Sequence, residues 1–215
     1  MLSTRPRRGF FPGGAGALPA PRFLRRMNDL AEQKRALRAE VKSRMPRPGS
    51  DAFVAASVAA QERLAASPLV AEARVIGVYR ALPSECGTAA LVASLQSSRR
   101  EICYPVVLPG ERALAFRRSV GVFVSGALGI EEPTGAPVPV EEIDLLVVPA
   151  LAVDREGRRL GRGKGHFDAT LARCPGASVA LVFESQLVPS VPVGEHDRRV
   201  AAVCTESRLL LVAAK

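Results

Sequence analysis

The amino-acid sequence predicts an α/β fold built on a mainly parallel sheet. Short apolar runs alternate along the chain with segments whose apolar residues recur at helical spacing. Two of the runs, "IDLLVVPALAV" (143–153) and "SVALVF" (178–183), are apolar at nearly every position, which is typical of strands covered on both faces. At 215 residues, with 47% apolar and 24% charged side chains, the chain is long enough for one sizeable α/β domain.

The predicted elements follow this alternation. The first helix runs from Asn28 or Asp29, either of which can cap it, to about Met45. A second helix is predicted over 51–67, with Ser50 as its cap and Pro68 as its stop. The remaining predictions are strands at 74–80, 101–109, 113–118, 143–153, 178–183 and 199–206, and helices at 84–98 and 168–174.

The net charge of +9 is concentrated at one end of the chain. Residues 1–26 contain six arginines and no acidic residue, while residues 27–215 contain 24 basic and 21 acidic groups. A nucleic-acid-binding domain requires a dense cationic face, so the composition argues against that function. We expect residues 1–26 to form a disordered extension rich in Arg, Gly and Pro, with organellar targeting as the alternative, and residues 27–215 to form the domain.

Four cysteines, Cys86, Cys103, Cys174 and Cys204, lie far apart in the sequence. They form neither a disulfide framework nor a metal-binding spacing, so we expect reduced thiols in a cytoplasmic protein. No apolar run approaches the ~18–20 residues that a membrane span requires.

The segment "GRRLGRGKGHFD" (157–168) combines four glycines with cationic side chains. A strand, a glycine-rich turn and a helix start, in this order, can present backbone N–H groups to a phosphate, while Arg158, Arg159, Arg162 and Lys164 supply charge. The spacing differs from that of a P-loop, and Gly165 stands where a P-loop has Ser or Thr. The motif also differs from GxGxxG, and an exposed basic turn is the alternative interpretation.

Two further features could converge on this segment. Lys34 and Arg38 flank the apolar stripe of the first predicted helix, where cations usually extend to solvent. Asp168 and Asp197 could together hold a hard cation such as Mg²⁺ with phosphate oxygens, although each could instead cap a turn or helix. His196, beside Asp197, is expected at the surface.

These segments, taken together, resemble the 5-formyltetrahydrofolate cyclo-ligase family. The resemblance covers the chain from about Met27 to its end, and its most specific part is the core "GRRLGRGKGHFD". The matching segments are "KRALR" (34–38), "VYRALPSECGT" (78–88), "LGIEEP" (128–133), "LLVVPALAVDREGRRLGRGKGHFD" (145–168) and "SVALVFESQLVPSVPVGEHDRRVAAVCTE" (178–206).

The resemblance implies a three-layer α/β/α fold of the sugar-phosphate-isomerase type and an ATP-dependent, Mg²⁺-requiring ligase. Such an enzyme converts 5-formyltetrahydrofolate to 5,10-methenyltetrahydrofolate and releases ADP and phosphate. The implied residues are Lys164 and Arg159 for catalysis; Lys34, Arg38, Arg159, Leu160, Gly161, Arg162, Gly163, Lys164 and Gly165 for ATP; Glu85, His166 and Phe167 for the folate; and Asp168 and Asp197 for Mg²⁺.

Three positions depart from the family pattern. His166 and Phe167 replace an aromatic pair that is commonly Tyr-Tyr, Cys86-Gly87 replaces an apolar and a polar residue, and Val153 replaces a phenylalanine. None of these departures removes an implied phosphate or metal ligand. We therefore expect an active cytoplasmic enzyme, monomeric and acting on small molecules, with a weakened or inactive folate- or nucleotide-binding homologue as the alternative.

Overall fold

The computed structural model describes residues 22–126 and 129–213, with side chains from residue 29 onward. The helices are α1 (Arg22–Arg44), α2 (Asp51–Ala65), α3 (Pro68–Glu72), α4 (Ala89–Ser97) and α5 (His166–Leu171). The strands are β1 (Val75–Val78), β2 (Glu101–Val106), β3 (Ala115–Arg118), β4 (Phe123–Ser125), β5 (Glu131–Pro133), β6 (Pro137–Val138), β7 (Leu145–Val148), β8 (Ala152–Val153), β9 (Arg159–Leu160), β10 (Ala177–Leu181), β11 (Ala202–Cys204) and β12 (Leu209–Leu211).

One eight-stranded sheet forms the centre of the molecule, in the order β12-β11-β10-β7-β1-β2-β3-β6. The five strands from β11 to β2 are parallel, and antiparallel strands complete both edges. The predicted α/β class with a mainly parallel sheet is therefore confirmed. The strands β4 and β5, and separately β8 and β9, form two small antiparallel hairpins outside this sheet.

Apolar side chains fill both faces of the central strands. On one face, residues of α2 and α4 such as Leu64 and Leu91 pack against Ile76 and Leu145. On the other face, Leu171 of α5 packs against a cluster that includes Leu146 and Phe116. Successive side chains of a strand point to opposite faces, which explains why the central strands are apolar at every position.

Several element boundaries differ from the sequence predictions. The first helix begins at Arg22, not at Asn28 or Asp29, because residues between Pro21 and Asp29 are mostly good helix formers. The helix predicted at 84–98 begins only at Ala89, since residues 83–85 form a turn and residues 86–88 an irregular connection. Of the extension predicted over 1–26, residues 1–21 lie outside the described residues, and residues 22–26 belong to α1 rather than to a disordered segment. Among the described helices, none combines the length and apolar character needed to cross a bilayer.

Asp144 connects the entry of β1 to the entry of β7. Its Oδ2 accepts hydrogen bonds from the backbone N–H of Arg74 (2.9 Å) and of Val75 (2.8 Å). The bond from Val75, followed by the bond from Arg74, lowers the pKa of Asp144 below 3.8, against the raising effect of its slight burial. The carboxylate therefore stabilises the fold when it is ionised.

We expect this contribution to be fully present above pH 3.8 and lost as the pH falls through the lower, folded-state pKa of Asp144. Asp144→Asn should thus reduce the free energy of unfolding at neutral pH, and the gap to the wild type should close in acid. Urea titrations between pH 2 and 7 measure this, with Glu142→Gln at an exposed neighbouring position as the control. A gap that does not change with pH would contradict the argument.

Candidate active site

A cleft of about 1000 Å³, including its open mouth, lies at the carboxyl ends of β1, β2 and β7. The chain proceeds from β1 to β2 on one side and from β7 to β10 on the other, so the connections diverge here. Ligands of open α/β sheets bind at such a switch point. The lining residues are Tyr79, Arg80, Leu82, Glu85, Pro105, Val107, Leu114, Ile130, Glu132, Pro149, Ala150, Leu151, Arg159, Gly161, Arg162, Gly163, Lys164, Gly165, His166, Phe167 and Asp168.

The glycine-rich segment contains a hairpin that the sequence did not predict. The run 143–153, predicted as one strand, is broken by Pro149, and its last two residues form β8 instead. The strand β8 pairs with β9, and only then does the loop 161–165 lead into α5. Gly157 lies in the turn of this hairpin, where its φ is +75° and an added Cβ would lie only 2.3 Å from the carbonyl oxygen of Val200. The loop that faces the cleft is therefore shorter than expected.

Asp154 holds this hairpin together from a fully buried position. Its Oδ1 accepts from the backbone N–H of Glu156 (3.1 Å) and of Arg158 (3.0 Å). Its Oδ2 accepts from Nε of Arg158 (2.7 Å) and from the backbone N–H of Val191 (2.8 Å). One carboxylate thus connects the hairpin to the segment that leads to Asp197. A single aspartate after an apolar run gave no sequence signal for this role.

Arg158 and Leu160 are not among the residues that line the cleft. Arg158, expected to add charge to the loop, pairs with Asp154 and Glu156 instead, which corrects that expectation. The side chain of Leu160 is buried in an apolar cluster with Val41 and Val191. Leu160 therefore contributes packing, and its assignment to ATP binding stays a prediction.

Arg159 is the most buried cation of the cleft, with 5% of its surface exposed. It donates from Nη2 to Oδ1 of Asp168 at 2.9 Å. The guanidinium carbon of Arg159 lies 5.8 Å from the centre of the Phe167 ring. Burial lowers the pKa of Arg159, and the charges of Asp168 and Asp197 oppose that shift. Its Nε is buried without a hydrogen-bond partner among the described residues. A buried donor of this kind is costly unless something accepts its hydrogen bond.

Helix α1 brings two cations to the loop. Lys34 donates from Nζ to Oδ2 of Asp197 at 2.5 Å, and the backbone N–H of Gly194 donates to the same oxygen at 2.6 Å. Arg38 donates from Nε to the carbonyl oxygen of Gly161 at 3.1 Å. The structure thus brings Lys34 and Arg38 of the first helix to the loop and to Asp197, while their assignment to ATP stays a prediction.

Glu85 and Arg162 join the loop to the opposite wall of the cleft. Glu85 is buried; its Oε1 accepts from Nε of Arg162 at 2.8 Å and its Oε2 from the backbone N–H of Leu82 at 2.9 Å. Arg162 also donates from Nη2 to Oγ of Ser84 at 2.9 Å. Arg162 is exposed on its other side.

Lys164 and His166 stand at the mouth of the cleft. Lys164 is exposed and forms no ion pair with the described residues. Gly163 and Gly165 on either side have positive φ values of 102° and 75°. His166 Nδ1 lies 2.8 Å from the carbonyl oxygen of Arg112, so this side chain faces a neighbouring loop as well as the cleft. Lys164 is the cation best placed to meet a ligand without breaking an existing contact.

Asp168 and Asp197 lie near Arg159, and each already accepts hydrogen bonds from a cation. Among residues 22–126 and 129–213, no group of three or more His, Cys, Asp or Glu side chains is arranged to hold a metal ion. Two carboxylates alone supply few ligands, whereas Mg²⁺ is commonly bound by one or two carboxylates together with substrate phosphates. The donors therefore suit Mg²⁺ only when phosphate oxygens are present.

The residues of the apolar wall of the cleft could not be predicted from local sequence patterns. Leu114 and Ile130 come from separate loops, and Glu132 from β5, where single residues give no periodic signal. Glu132 accepts at Oε1 from the backbone N–H of Val107 (2.9 Å), which fixes the hairpin β4–β5 beside the cleft. A compact apolar pocket with a few polar groups is the usual form of a small-molecule site.

All four cysteines are free, as expected from their spacing. Burial raises the pKa of Cys86, Cys103 and Cys204 to about 12. A thiol with so high a pKa is a poor nucleophile at neutral pH. None of the four cysteines is among the residues that line the cleft, so none is positioned to act there.

Fold and site together define an α/β protein whose cleft combines a cationic glycine-rich loop with an apolar wall that carries carboxylates. Residues 30–206 match the model of the 5-formyltetrahydrofolate cyclo-ligase family, so the chain belongs to that family.

Individual relatives agree with this assignment. The 5-formyltetrahydrofolate cyclo-ligase of Mycolicibacterium smegmatis is 32% identical over 66% of this chain and 78% of its own length. The mouse enzyme of the same name is 26% identical over 80% of this chain and 93% of its own length. The NMR structure of Aquifex aeolicus 5,10-methenyltetrahydrofolate synthetase superposes with a TM-score of 0.72 at 23% identity, covering 86% of this chain and 94% of that one, which supports the fold.

We expect Asp154→Ala to lower the free energy of unfolding by about 3 kcal/mol, because a buried carboxylate lost from its partners leaves several donors unsatisfied. Glu156→Ala, which removes only the exposed contact to Arg158, should cost less than ~1 kcal/mol. Urea denaturation followed by circular dichroism measures both variants. Equal stability of the two would show that Asp154 does not hold the hairpin.

Proposed function

We propose that this chain catalyses the ATP-dependent conversion of 5-formyltetrahydrofolate to 5,10-methenyltetrahydrofolate, with release of ADP and phosphate. Family membership supports the reaction class. The structural observation that carries the proposal is the cleft itself, where the cationic loop 161–165 meets an apolar wall at the ends of the parallel strands. One ligand of such a cleft is expected to be anionic and the other largely flat and apolar.

ATP is proposed to bind along the loop and α1. The loop offers backbone N–H groups and the cations Arg162 and Lys164, while Nε of Arg159, in the same lining, has no hydrogen-bond partner within the described part of the chain. A phosphate oxygen would accept a hydrogen bond from this Nε and so remove the free-energy cost of a buried, unsatisfied donor. Lys34 donates to Asp197 and Arg38 donates to the loop carbonyl of Gly161, and phosphate oxygens of a bound nucleotide would replace these acceptors.

The folate is proposed to occupy the wall formed by Leu82, Leu114 and Ile130. A pterin ring carries several N–H donors, and Glu85 and Glu132 offer carboxylate oxygens at the border of this apolar surface. His166 and Phe167 close the cleft between this wall and the loop. In this arrangement the formyl group faces Lys164.

The chemistry then requires positioning rather than a side-chain nucleophile. The formyl oxygen forms a bond to the γ-phosphorus of ATP, and the bond from that phosphorus to the bridging oxygen breaks to release ADP. N10 of the folate attacks the activated carbon, loses its proton, and phosphate leaves as the second ring closes. Lys164 and Arg159 stabilise the charge of the phosphoryl group during transfer, which is the main task of such sites.

Asp168 and Asp197 are the residues that would hold Mg²⁺ beside the phosphates. When bound, the ion would neutralise negative charge on the phosphate oxygens. In the chain alone, Arg159 and Lys34 neutralise these carboxylates, so a bound nucleotide would have to attract the two cations away from them.

We further propose that the enzyme is a cytoplasmic monomer and that its partners are its small-molecule substrates. Residues 27–215 carry a small excess of basic groups, which does not favour nucleic acid as a partner. Light scattering of the purified chain, with and without its first 26 residues, tests the oligomeric state.

We expect Lys164→Ala to keep the fold and to lower kcat/KM by about 100-fold, since it removes a cation from the transferred phosphoryl group. The measurement follows the rise in absorbance of the methenyl product. Lys42→Ala, at an exposed position of α1, is the matched control and should leave the rate unchanged. Normal turnover by Lys164→Ala would exclude the loop from the mechanism, and a wild type that binds ATP without forming the product would favour a non-catalytic homologue.

Removal of divalent cations with EDTA should abolish product formation, and added Mg²⁺ should restore it. Asp197→Asn should raise the Mg²⁺ concentration needed for half-maximal rate by about 10-fold, because a neutral amide is a weaker ligand for a hard cation. Glu195→Gln, an exposed carboxylate two residues away, serves as the control. A metal requirement that Asp197→Asn does not change would assign the ion to other ligands.

A further inference from the structure

A buried polar network joins α2 to the turn that carries Glu85. Gln61 and Ser57 lie one helical turn apart on α2, and only 3% and 6% of their surfaces are exposed. Gln61 donates from Nε2 to the carbonyl oxygen of Ser57 (2.9 Å) and to its Oγ (3.1 Å). The two side chains thus form one polar unit on the buried face of the helix, which also carries Ala60 and Leu64.

Gln61 supplies the N-terminal cap that α4 lacks. Thr88 occupies the cap position of α4, but its side chain makes no cap hydrogen bond and donates to the carbonyl oxygen of Tyr79 instead (3.1 Å). Oε1 of Gln61 accepts from the backbone N–H of Ala90 (2.9 Å) and of Leu91 (3.2 Å). A helix cap is therefore provided by a residue from another helix.

Ser57 fixes the turn before α4. Its Oγ accepts from the backbone N–H of Gly87 at 2.8 Å, and Tyr79 donates from its hydroxyl to the carbonyl oxygen of Cys86 at 2.6 Å. Burial raises the pKa of Tyr79 well above 10.0, so this hydroxyl remains a donor. The backbone directly after Glu85 is thus held from two sides.

Gly87 is matched to this network. A Cβ at this position would lie 2.9 Å from Oγ of Ser57 and 3.2 Å from Nε2 of Gln61, and the space is therefore closed to any other residue unless the network moves. Gly87, one of the positions that depart from the family pattern, is therefore accommodated by the close approach of Ser57 and Gln61 of α2.

We propose that Gln61, Ser57 and Gly87 act together as positioning residues for the folate, because they fix the position of the backbone that presents Glu85 to the cleft. The inference rests on the proposed function, in which Glu85 contacts the pterin ring. Loss of the network lets the turn 85–88 shift, while α1 and loop backbone 161–165, proposed for ATP, are anchored elsewhere. Among the described residues, the turn meets the loop only through the side chains of Arg162 and its partners Glu85 and Ser84, so the effect of the network is expected to be larger for the folate than for ATP.

Calorimetric titration of the full chain with 5-formyltetrahydrofolate alone, and separately with ATP and Mg²⁺, tests this. We expect Ser57→Ala and Gln61→Leu to weaken folate binding by about 10-fold and to change ATP binding by less than ~2-fold, in line with the loss of one or two hydrogen bonds. Ser178→Ala is the matched control, because Oγ of this buried serine also accepts from a backbone N–H, that of Ala201 (3.2 Å), at the opposite end of the sheet. It should change neither affinity.

A second measurement uses the coupling between Gly87 and Ser57. Gly87→Ala should weaken folate binding about 10-fold in the wild type but add little in the Ser57→Ala background, where the close oxygen is absent. Additive losses, equal losses for both substrates, or unchanged folate affinity would overturn the inference. Should Gln61→Leu fail to fold, Ser57→Ala and the double variant carry the test. A wild type that binds ATP but no folate would instead overturn the proposed function.

Discussion

The carboxylate of Asp154 is the constraint on which the geometry of the cleft depends. It lies out of contact with water and accepts four hydrogen bonds, three from the hairpin β8–β9 and one from the segment that leads to Asp197. A buried charge of this kind has a low free energy only when its partners are all in place. The hairpin and the segment therefore adopt one relative position, and Arg159 on one side is brought close to Asp197 on the other.

Three of the cations at the cleft are paired with carboxylates before any ligand binds, whereas Lys164 forms no ion pair with the described residues. Arg159 pairs with Asp168, Lys34 with Asp197, and Arg162 with Glu85. This arrangement lets strongly basic residues be gathered in a small volume without mutual repulsion. It also means that an anionic ligand competes with carboxylates for its cations, so the binding free energy reflects an exchange of partners and not the full attraction of the ligand to free charges.

The sequence contained enough information for the sheet and for much of the charge in the cleft. Continuous apolar runs identified β7 and β10, and the glycine-rich segment indicated an anion site. Local patterns could not show the hairpin β8–β9, because two-residue strands have no measurable periodicity. The same limit applies to Asp154, whose partners are set by tertiary packing, and to Ile130 and Leu114, which meet only in the folded cleft. The pairing of Lys34 with Asp197 spans 163 positions, and no local pattern in the sequence could indicate it.

The attachment of α1 has a consequence for the dynamics of the protein. Leu37 and Val41 of α1 belong to a small apolar cluster around Leu160, and Met45, directly after the helix, packs against both this cluster and one that covers the sheet. A local opening that detaches the helix would withdraw Lys34 and Arg38 from the loop. A nucleotide that bridges the loop and the helix opposes the opening, so nucleotide affinity and retention of the first helix are two measures of the same equilibrium.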